Sequence, residues 1–467
     1  MNPTIFIILG ITGDLAMAKL LPALLSLYVN KQLPNHFSIV GLSRRAFSRE
    51  EFRQFVRENI GIESGHFREE DIKHFLDHMC YEQGFFDSKD SYLNLAKRLK
   101  AIDDSWGQCS NKLFHLAVSP HYYEVILDHL AASGLTIPCS DDTGWTRVLV
   151  EKPFGNDVET AMKLDKKLGN LFEESQIFRI DHYLAKESVQ NILTFRFANA
   201  IFEPLWNSDF IDKVHIKLHE KGSASERGHF YDNIGALKDV GQNHMLQMLG
   251  LVAMEQPSSF GAEVIRKERA KIISRLRPIT AKNIEQFAVR GQYSDYVREP
   301  GVRVGSQTET YFRLETHVDT PRWKGVPFFL ESGKAFAENR CQIDVYFKER
   351  PMPKGFVKGE GEPTMRQNVL TFRIQPDEGI KIRFWVKTPG WSLGTEPKVL
   401  RFKYSEFSSL AELPDAYERV LHDAIVGDQT LFTSTDEVLA AWKFITPIVN
   451  SWHVLPLNVY KKGTREV

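Results

Sequence analysis

Ile5 to Leu9 is an unbroken apolar run rich in isoleucine, which predicts a buried parallel strand covered on both faces. A tight turn, Gly10-Ile11-Thr12-Gly13-Asp14, follows it. Leu15 to Leu33 then carries Leu20, Leu21, Leu24, Leu25 and Tyr28 on one helical face. Phe37 to Leu42 reads as a second buried strand. Strand, glycine turn, helix and strand within roughly 40 residues make a βαβ unit. The alternation continues with a strand at Leu113 to Val118 and a helix at Tyr122 to Ala132. A short strand, Arg147 to Val150, ends in Glu151-Lys152-Pro153-Phe154-Gly155. The first third is therefore expected to be an α/β domain, a Rossmann-like doubly wound parallel sheet.

Beyond it the period changes. Strand-like runs fall at Lys213 to His219, Thr310 to Val318, Gln342 to Lys348, Val369 to Gln375, Ile380 to Val386 and Val399 to Tyr404. Leu370, Phe372 and Ile374 alternate with Val369, Thr371 and Arg373, so one face is drier, which favours antiparallel pairing. Helices are expected at Asp239 to Met254 and Ala411 to Val426. The second domain is thus a larger α+β domain on a big, mostly antiparallel sheet. The expected division is 1–180 for dinucleotide binding and 181–467 for substrate binding and dimerisation.

Charge narrows the function. The 467 residues hold 59 Lys plus Arg against 60 Asp plus Glu, a net charge of −1. No overall basic excess is available for a nucleic acid or an anionic membrane, so an anionic ligand must be held locally. The four cysteines, Cys80, Cys109, Cys139 and Cys341, show no CxxC spacing and no Cys/His cluster. No metal is expected, and free thiols in a reducing compartment are the simplest reading. The first apolar run is too short to span a bilayer and no basic stretch precedes it, so the expected location is cytoplasmic.

Candidate chemistry begins at Gly10-x-x-Gly13-x-x-Ala16, a relaxed dinucleotide fingerprint between a strand and a helix. Its glycines let backbone N–H groups approach a pyrophosphate at a helix N-terminus. Gly10, Thr12, Gly13, Asp14 and Leu15 are the candidate contacts; the plainer reading is a tight turn. The second strand ends in Ser43-Arg44-Arg45 where an NAD site would carry a carboxylate. Two guanidiniums and a hydroxyl suit a 2′-phosphate. At roughly 1.5–3 kcal/mol per charged hydrogen bond, two would favour NADP by about a hundredfold or more. A solvated basic turn is the alternative. Lys152 stands where a strand end can reach the nicotinamide. Its proline neighbour is a candidate for a cis bond. Arg179-Ile180-Asp181-His182-Tyr183-Leu184-Ala185-Lys186-Glu187 gathers an unusual polar cluster. His182, Tyr183 and Lys186 can donate to a phosphate dianion, with Lys186 one helical turn beyond His182; a polar interdomain hinge is the alternative.

These motifs, with Asp415-Ala416-Tyr417-Glu418-Arg419 near the end, resemble the glucose-6-phosphate dehydrogenase family over essentially the whole chain. The family norm has Gly where Ala185 stands, a change that is tolerated unless the backbone there needs a positive φ. The resemblance implies oxidation of D-glucose 6-phosphate at C1 to 6-phospho-D-glucono-1,5-lactone by NADP, the first step of the oxidative pentose phosphate pathway. It implies His244 as general base and Asp181 as the carboxylate behind it. Lys152, His182, Tyr183, Lys186, Glu220, Asp239 and Lys334 become substrate contacts, Lys152 also a cofactor contact. Lys19 matches a family lysine near both ligands. A homodimer or dimer of dimers is also implied. Without the resemblance, His244 in its amphipathic run reads as a core residue. Two rivals stand beside this: an NADP-dependent dehydrogenase of another sugar or sugar phosphate with the same Glu-Lys-Pro motif, and a non-catalytic paralogue. The phosphate cluster argues against the first. Arg373 and Arg383 do not complete a second dinucleotide site.

Overall fold

The computed structural model describes residues 2–62, 66–139, 144–349, 366–391, 394–406 and 413–467. The first sheet is built from β1 (Thr4–Leu9), β2 (Phe37–Ser43), β3 (Met79–Gln83), β4 (Asn111–Leu116), β5 (Thr146–Val150) and β6 (Ile177–Ile180). They lie in the order β3-β2-β1-β4-β5-β6, all parallel. Every residue of β1 is buried, as a central strand covered by helices on both faces requires. The chain reverses direction in the strand order at β1, which opens a crevice at the carboxyl ends of β1 and β4. The first helix is shorter than its apolar pattern. A π-helical turn, Ala16–Leu20, leads into Leu21–Val29, and Lys31 with φ 56° then ends it.

The second sheet contains β7 (Ile211–His219), β8 (Ala288–Tyr293), β9 (Tyr311–His317), β10 (Pro327–Gly333), β11 (Arg340–Phe347), β12 (Val369–Gln375), β13 (Gly379–Lys387) and β14 (Thr395–Lys403). Apart from β10 on β7, these strands pair antiparallel. Its inner face buries Val214, Ile216, Leu218, Phe328, Leu330, Ile343, Val345, Leu370, Phe372 and Ile374. Helix Glu187–Phe197 lies over it, with Phe195 edge-on to Phe372 at 5.3 Å. The other face is polar. There Glu331 receives His215 at 2.8 Å and His219 at 3.1 Å.

The chain then returns to the first sheet. β15 (Phe432–Thr433) pairs antiparallel with β6, and β16 (Leu457–Tyr460) runs parallel to β8 at the far edge of the second sheet. Helix Thr435–Asn450 crosses back as well, its Trp442 indole donating to the Phe154 carbonyl at 2.6 Å. Arg147 donates to the carbonyls of Ala424 and Ile425 at 2.7 and 2.8 Å. Arg179 is buried and binds Asp165 at 2.7 Å, Glu174 at 2.9 Å and Thr435 at 2.8 Å. It is a structural tie, not a ligand contact.

The cysteine expectation needs correction. Cys109 and Cys139 form a disulfide, and only Cys80 and Cys341 are free. Cys109 and Cys139 are 30 residues apart with no motif between them. Parallel pairing of β4 with β5 brings the segments ahead of those strands together, with a Cα–Cα separation of 6.2 Å, inside the bridging range. Among the described residues, no helix is long and apolar enough to cross a membrane.

Candidate active site

The glycine turn lies at the carboxyl end of β1. Gly10 adopts φ +88°, and a Cβ added there would stand 2.5 Å from the Ala117 carbonyl oxygen and 2.8 Å from Val118 Cγ1. Only glycine fits, because the turn packs directly against the Ala117–Val118 segment that follows β4. Gly13 N–H donates to the Gly10 carbonyl at 2.9 Å, and Thr12 donates to the Ser43 hydroxyl at 3.1 Å. The turn and the end of β2 are thereby locked together. Tyr81 donates to the Arg45 carbonyl at 2.5 Å and shapes the Ser43-Arg44-Arg45 corner. Both arginine side chains are exposed there, and neither forms an ion pair among the described residues. A cleft of about 870 Å³ runs from this turn toward the second domain. Asp14, Leu15 and Lys19 line one end; Lys152, His182, Tyr183 and Lys186 line the other. Its volume falls in the range of small-molecule sites.

The polar segment after β6 is a turn rather than a helix. Leu184 N–H donates to the Asp181 carbonyl at 3.0 Å and Lys186 N–H to the Tyr183 carbonyl at 3.1 Å. The helix begins only at Glu187, with Lys186 in extended geometry as its cap. His182, Tyr183 and Lys186 nonetheless share the cleft wall, because the turn curls them to one side. Ala185 is buried and has no positive φ, so a methyl group is accepted there.

Behind this wall, His244 Nδ1 lies 2.5 Å from Asp181 Oδ1, both nearly inaccessible to solvent. Tyr183 stacks on the His244 ring at 4.3 Å and His182 packs against it at 4.6 Å. With Nδ1–H donated to the carboxylate, Nε2 keeps the lone pair. Burial pushes the His244 imidazolium below its ordinary pKa, and Asp181 recovers part of that. Burial alone would raise the Asp181 carboxyl, but His244 holds it below the usual carboxylate value. Burial, reinforced by His244, pushes His182 down to about 3, so at neutral pH that ring offers a hydrogen bond and no charge.

His244 and Asp239 come from a nine-residue π-helical stretch, Leu237–Met245. Such wide turns disturb the i→i−4 ladder and recur at functional sites. Here the Asp239 carbonyl accepts from Lys152 Nζ at 2.8 Å and from Asn243 at 2.9 Å. Lys152 also reaches Asp239 Oδ1 at 3.0 Å, and its peptide bond to Pro153 is cis. Lys334 pairs with Glu220 at 2.6 Å. Burial favours the neutral Asp239 acid, but Lys152 and Lys334 hold its pKa low. A cavity of about 340 Å³ brings Lys152, His182, Tyr183, Glu220, Asp239, His244 and Lys334 around one volume. Eight of the catalytic and substrate candidates and the dinucleotide turn thus meet at the junction of the two cavities, with the ninth, Asp181, one layer behind.

Sequence reasoning missed several lining residues. Gln375, the last residue of β12, joins the cleft beside Lys186, and Phe230 lines both cavities. Glu151 accepts from His115 at 3.1 Å, and Tyr417 lies 3.5 Å from its other oxygen. Nothing local marks Gln375 or Phe230. Glu151 and Tyr417 fall inside motifs already noted, where only their partners were illegible.

Residues 7–191 match the family model described as the NAD binding domain of glucose-6-phosphate dehydrogenase, and residues 193–467 match its C-terminal domain. The glucose-6-phosphate 1-dehydrogenase of Aggregatibacter actinomycetemcomitans is 41% identical over 454 residues, covering 95% of this chain and 90% of that protein. The one from Bacillus subtilis is 37% identical over 458 residues, covering 96% and 91%. A solved structure titled glucose-6-phosphate dehydrogenase in complex with its substrate glucose-6-phosphate superposes with a TM-score of 0.91 at 32% identity, covering 100% of this chain and 96% of that one. A 3-ketoreductase from Actinomadura kijaniata shares the fold at 12% identity and a TM-score of 0.52.

Proposed function

The chain belongs to the glucose-6-phosphate dehydrogenase family, and on that premise we propose that its cleft oxidises D-glucose 6-phosphate at C1 to 6-phospho-D-glucono-1,5-lactone with NADP. The observation that carries the site assignment is the single wall of His182, Tyr183 and Lys186 in front of the His244–Asp181 pair. When bound along the cleft, NADP supplies the acceptor for the hydride leaving C1. The residues fit it: the glycine turn opens onto the cleft through Asp14 and Leu15, and Arg44 and Arg45 offer exposed guanidiniums with no carboxylate partner among the described residues.

Lys186 contributes charge to the phosphate, while His182 and Tyr183 contribute neutral donors. Lys152, Glu220, Asp239 and Lys334 orient the ring hydroxyls. Asp239 faces Lys152 and Glu220 faces Lys334, and each carboxylate keeps oxygen lone pairs for the sugar. His244 Nε2 takes the C1 hydroxyl proton, and Asp181 stabilises the imidazolium that results. Holding base and C1 in register does much of the remaining work.

The pH dependence follows. The base must be unprotonated, and burial lowers its pKa. kcat/KM is therefore expected to be full near neutrality and to fall only below the ordinary imidazole value of about 6.5. An inflection above that value in the kcat/KM profile would contradict the assignment. Arg44→Ala is expected to weaken NADP far more than NAD, by about ten- to a hundredfold. Equal losses in the two cofactors' KM values would remove Arg44 from the 2′-phosphate. The function itself is tested by one assay: NADPH formation with glucose 6-phosphate and with glucose. Turnover that prefers the unphosphorylated sugar would favour the rival dehydrogenase.

The same reading makes the protein a cytoplasmic homo-oligomer, a dimer or dimer of dimers. Its support is the open face of the second sheet, where Phe329 and Tyr346 are only partly covered.

A further inference from the structure

We propose that Cys109 and Cys139 form a surface thiol–disulfide exchange site, with Cys139 the more reactive sulfur. Both residues are exposed, so small thiols can reach the bond. They lie ahead of β4 and β5, at the amino ends of those strands. The cofactor turn and Lys152 follow carboxyl ends, so the bond sits on the opposite rim of the sheet from the chemistry.

The site is built on both sides. Gly144 lies under the pair with φ +72°, and a Cβ there would come within 3.0 Å of Cys139 Cβ and 3.3 Å of Cys109 Cβ. Lys112 is buried, and its ammonium meets three acceptors: Asp103 Oδ2 at 2.6 Å, the Ser110 carbonyl at 2.9 Å and Cys139 Sγ at 3.6 Å. An ammonium has three N–H bonds, so one of them is aimed at sulfur. Among the described residues, Cys109 receives no such bond from a side chain. A carboxylate oxygen of Asp103 lies within 4.8 Å of both sulfurs and opposes a thiolate on either, which leaves the direct hydrogen bond as the difference between them.

That bond stabilises a thiolate on Cys139, which makes it the better leaving group in reduction and the larger thiolate fraction in oxidation. In reduction by a dithiol, one thiolate of the reagent attacks Cys109 Sγ. The protein S–S bond breaks and Cys139 departs as thiolate. The reagent's second thiolate then attacks its own sulfur in the mixed disulfide and releases Cys109. Two electrons pass to the protein, both cysteines take up protons, and the dithiol leaves as a disulfide. A bond of this kind suits a compartment where disulfides are transient rather than permanent.

The test uses the full chain. Protein purified without reductant is expected to gain two titratable thiols on treatment with dithiothreitol, with kcat unchanged. At pH 7, iodoacetamide should alkylate Cys139 in the Cys109→Ser variant about tenfold faster than Cys109 in the Cys139→Ser variant. Lys112→Met should remove that difference and Lys112→Arg should keep it. No gain of thiols, or Cys109 reacting as fast as Cys139, would overturn the proposal. The rate comparison needs only the two serine variants, so it stands even if Lys112→Met does not fold.

Discussion

Replacing His244 with asparagine is expected to lower kcat by about 10²–10⁴, the usual size of a general-base loss, with KM for glucose 6-phosphate largely kept. The amide can still donate toward Asp181, so the buried carboxylate is not stranded. It has no lone-pair nitrogen to take the C1 proton. The proposed phosphate donors belong to a different segment; His182 and Tyr183 lose ring packing against residue 244 but keep their own polar atoms. Steady-state kinetics measures both parameters, and far-ultraviolet circular dichroism separates lost chemistry from lost fold. Near-normal turnover would show that another group is the base.

The second large effect is expected at Lys186. Burial lowers its pKa, and the carboxylates of Glu378 and Asp415 work against that. On the proposed reading it is the lysine of the phosphate wall, beside His182 and Tyr183. Lys186→Ala removes a charged hydrogen bond of roughly 1.5–3 kcal/mol, which corresponds to about a 10- to 150-fold loss in kcat/KM. The loss should fall on glucose 6-phosphate and spare the slow reaction with glucose, which has no phosphate to hold. Equal losses on the two sugars would place the phosphate elsewhere.

Much of this architecture was legible before any coordinates. β1, β2, β4 and β5 follow from short apolar runs, and β12 follows from strict alternation that buries Leu370, Phe372 and Ile374. β3 is half-polar and only partly buried, so no run marks it. β8 carries Arg290 and Gln292 among its buried positions, which hides it from any apolar pattern. β10 is absent from the expected strands, and only Lys334, the residue just past its end, is marked. The site was legible as motifs but not as contacts. No spacing relates Lys152 to Asp239, or Lys334 to Glu220, because those pairs form across elements far apart in the chain. The 182–186 turn shows the limit from the other side. A helix and a turn both put Lys186 near His182, and the sequence could not choose between them.

The return of β15 and helix Thr435–Asn450 to the first sheet means that the nucleotide half is discontinuous along the chain. Severing it at the family-model junction near residue 191 would bare the β6 edge, a hazard for aggregation. Arg147 and Arg179 would lose acceptors supplied from beyond residue 420. The strap formed by residues 416–450 is therefore packed on the nucleotide half although it comes from the far end of the chain.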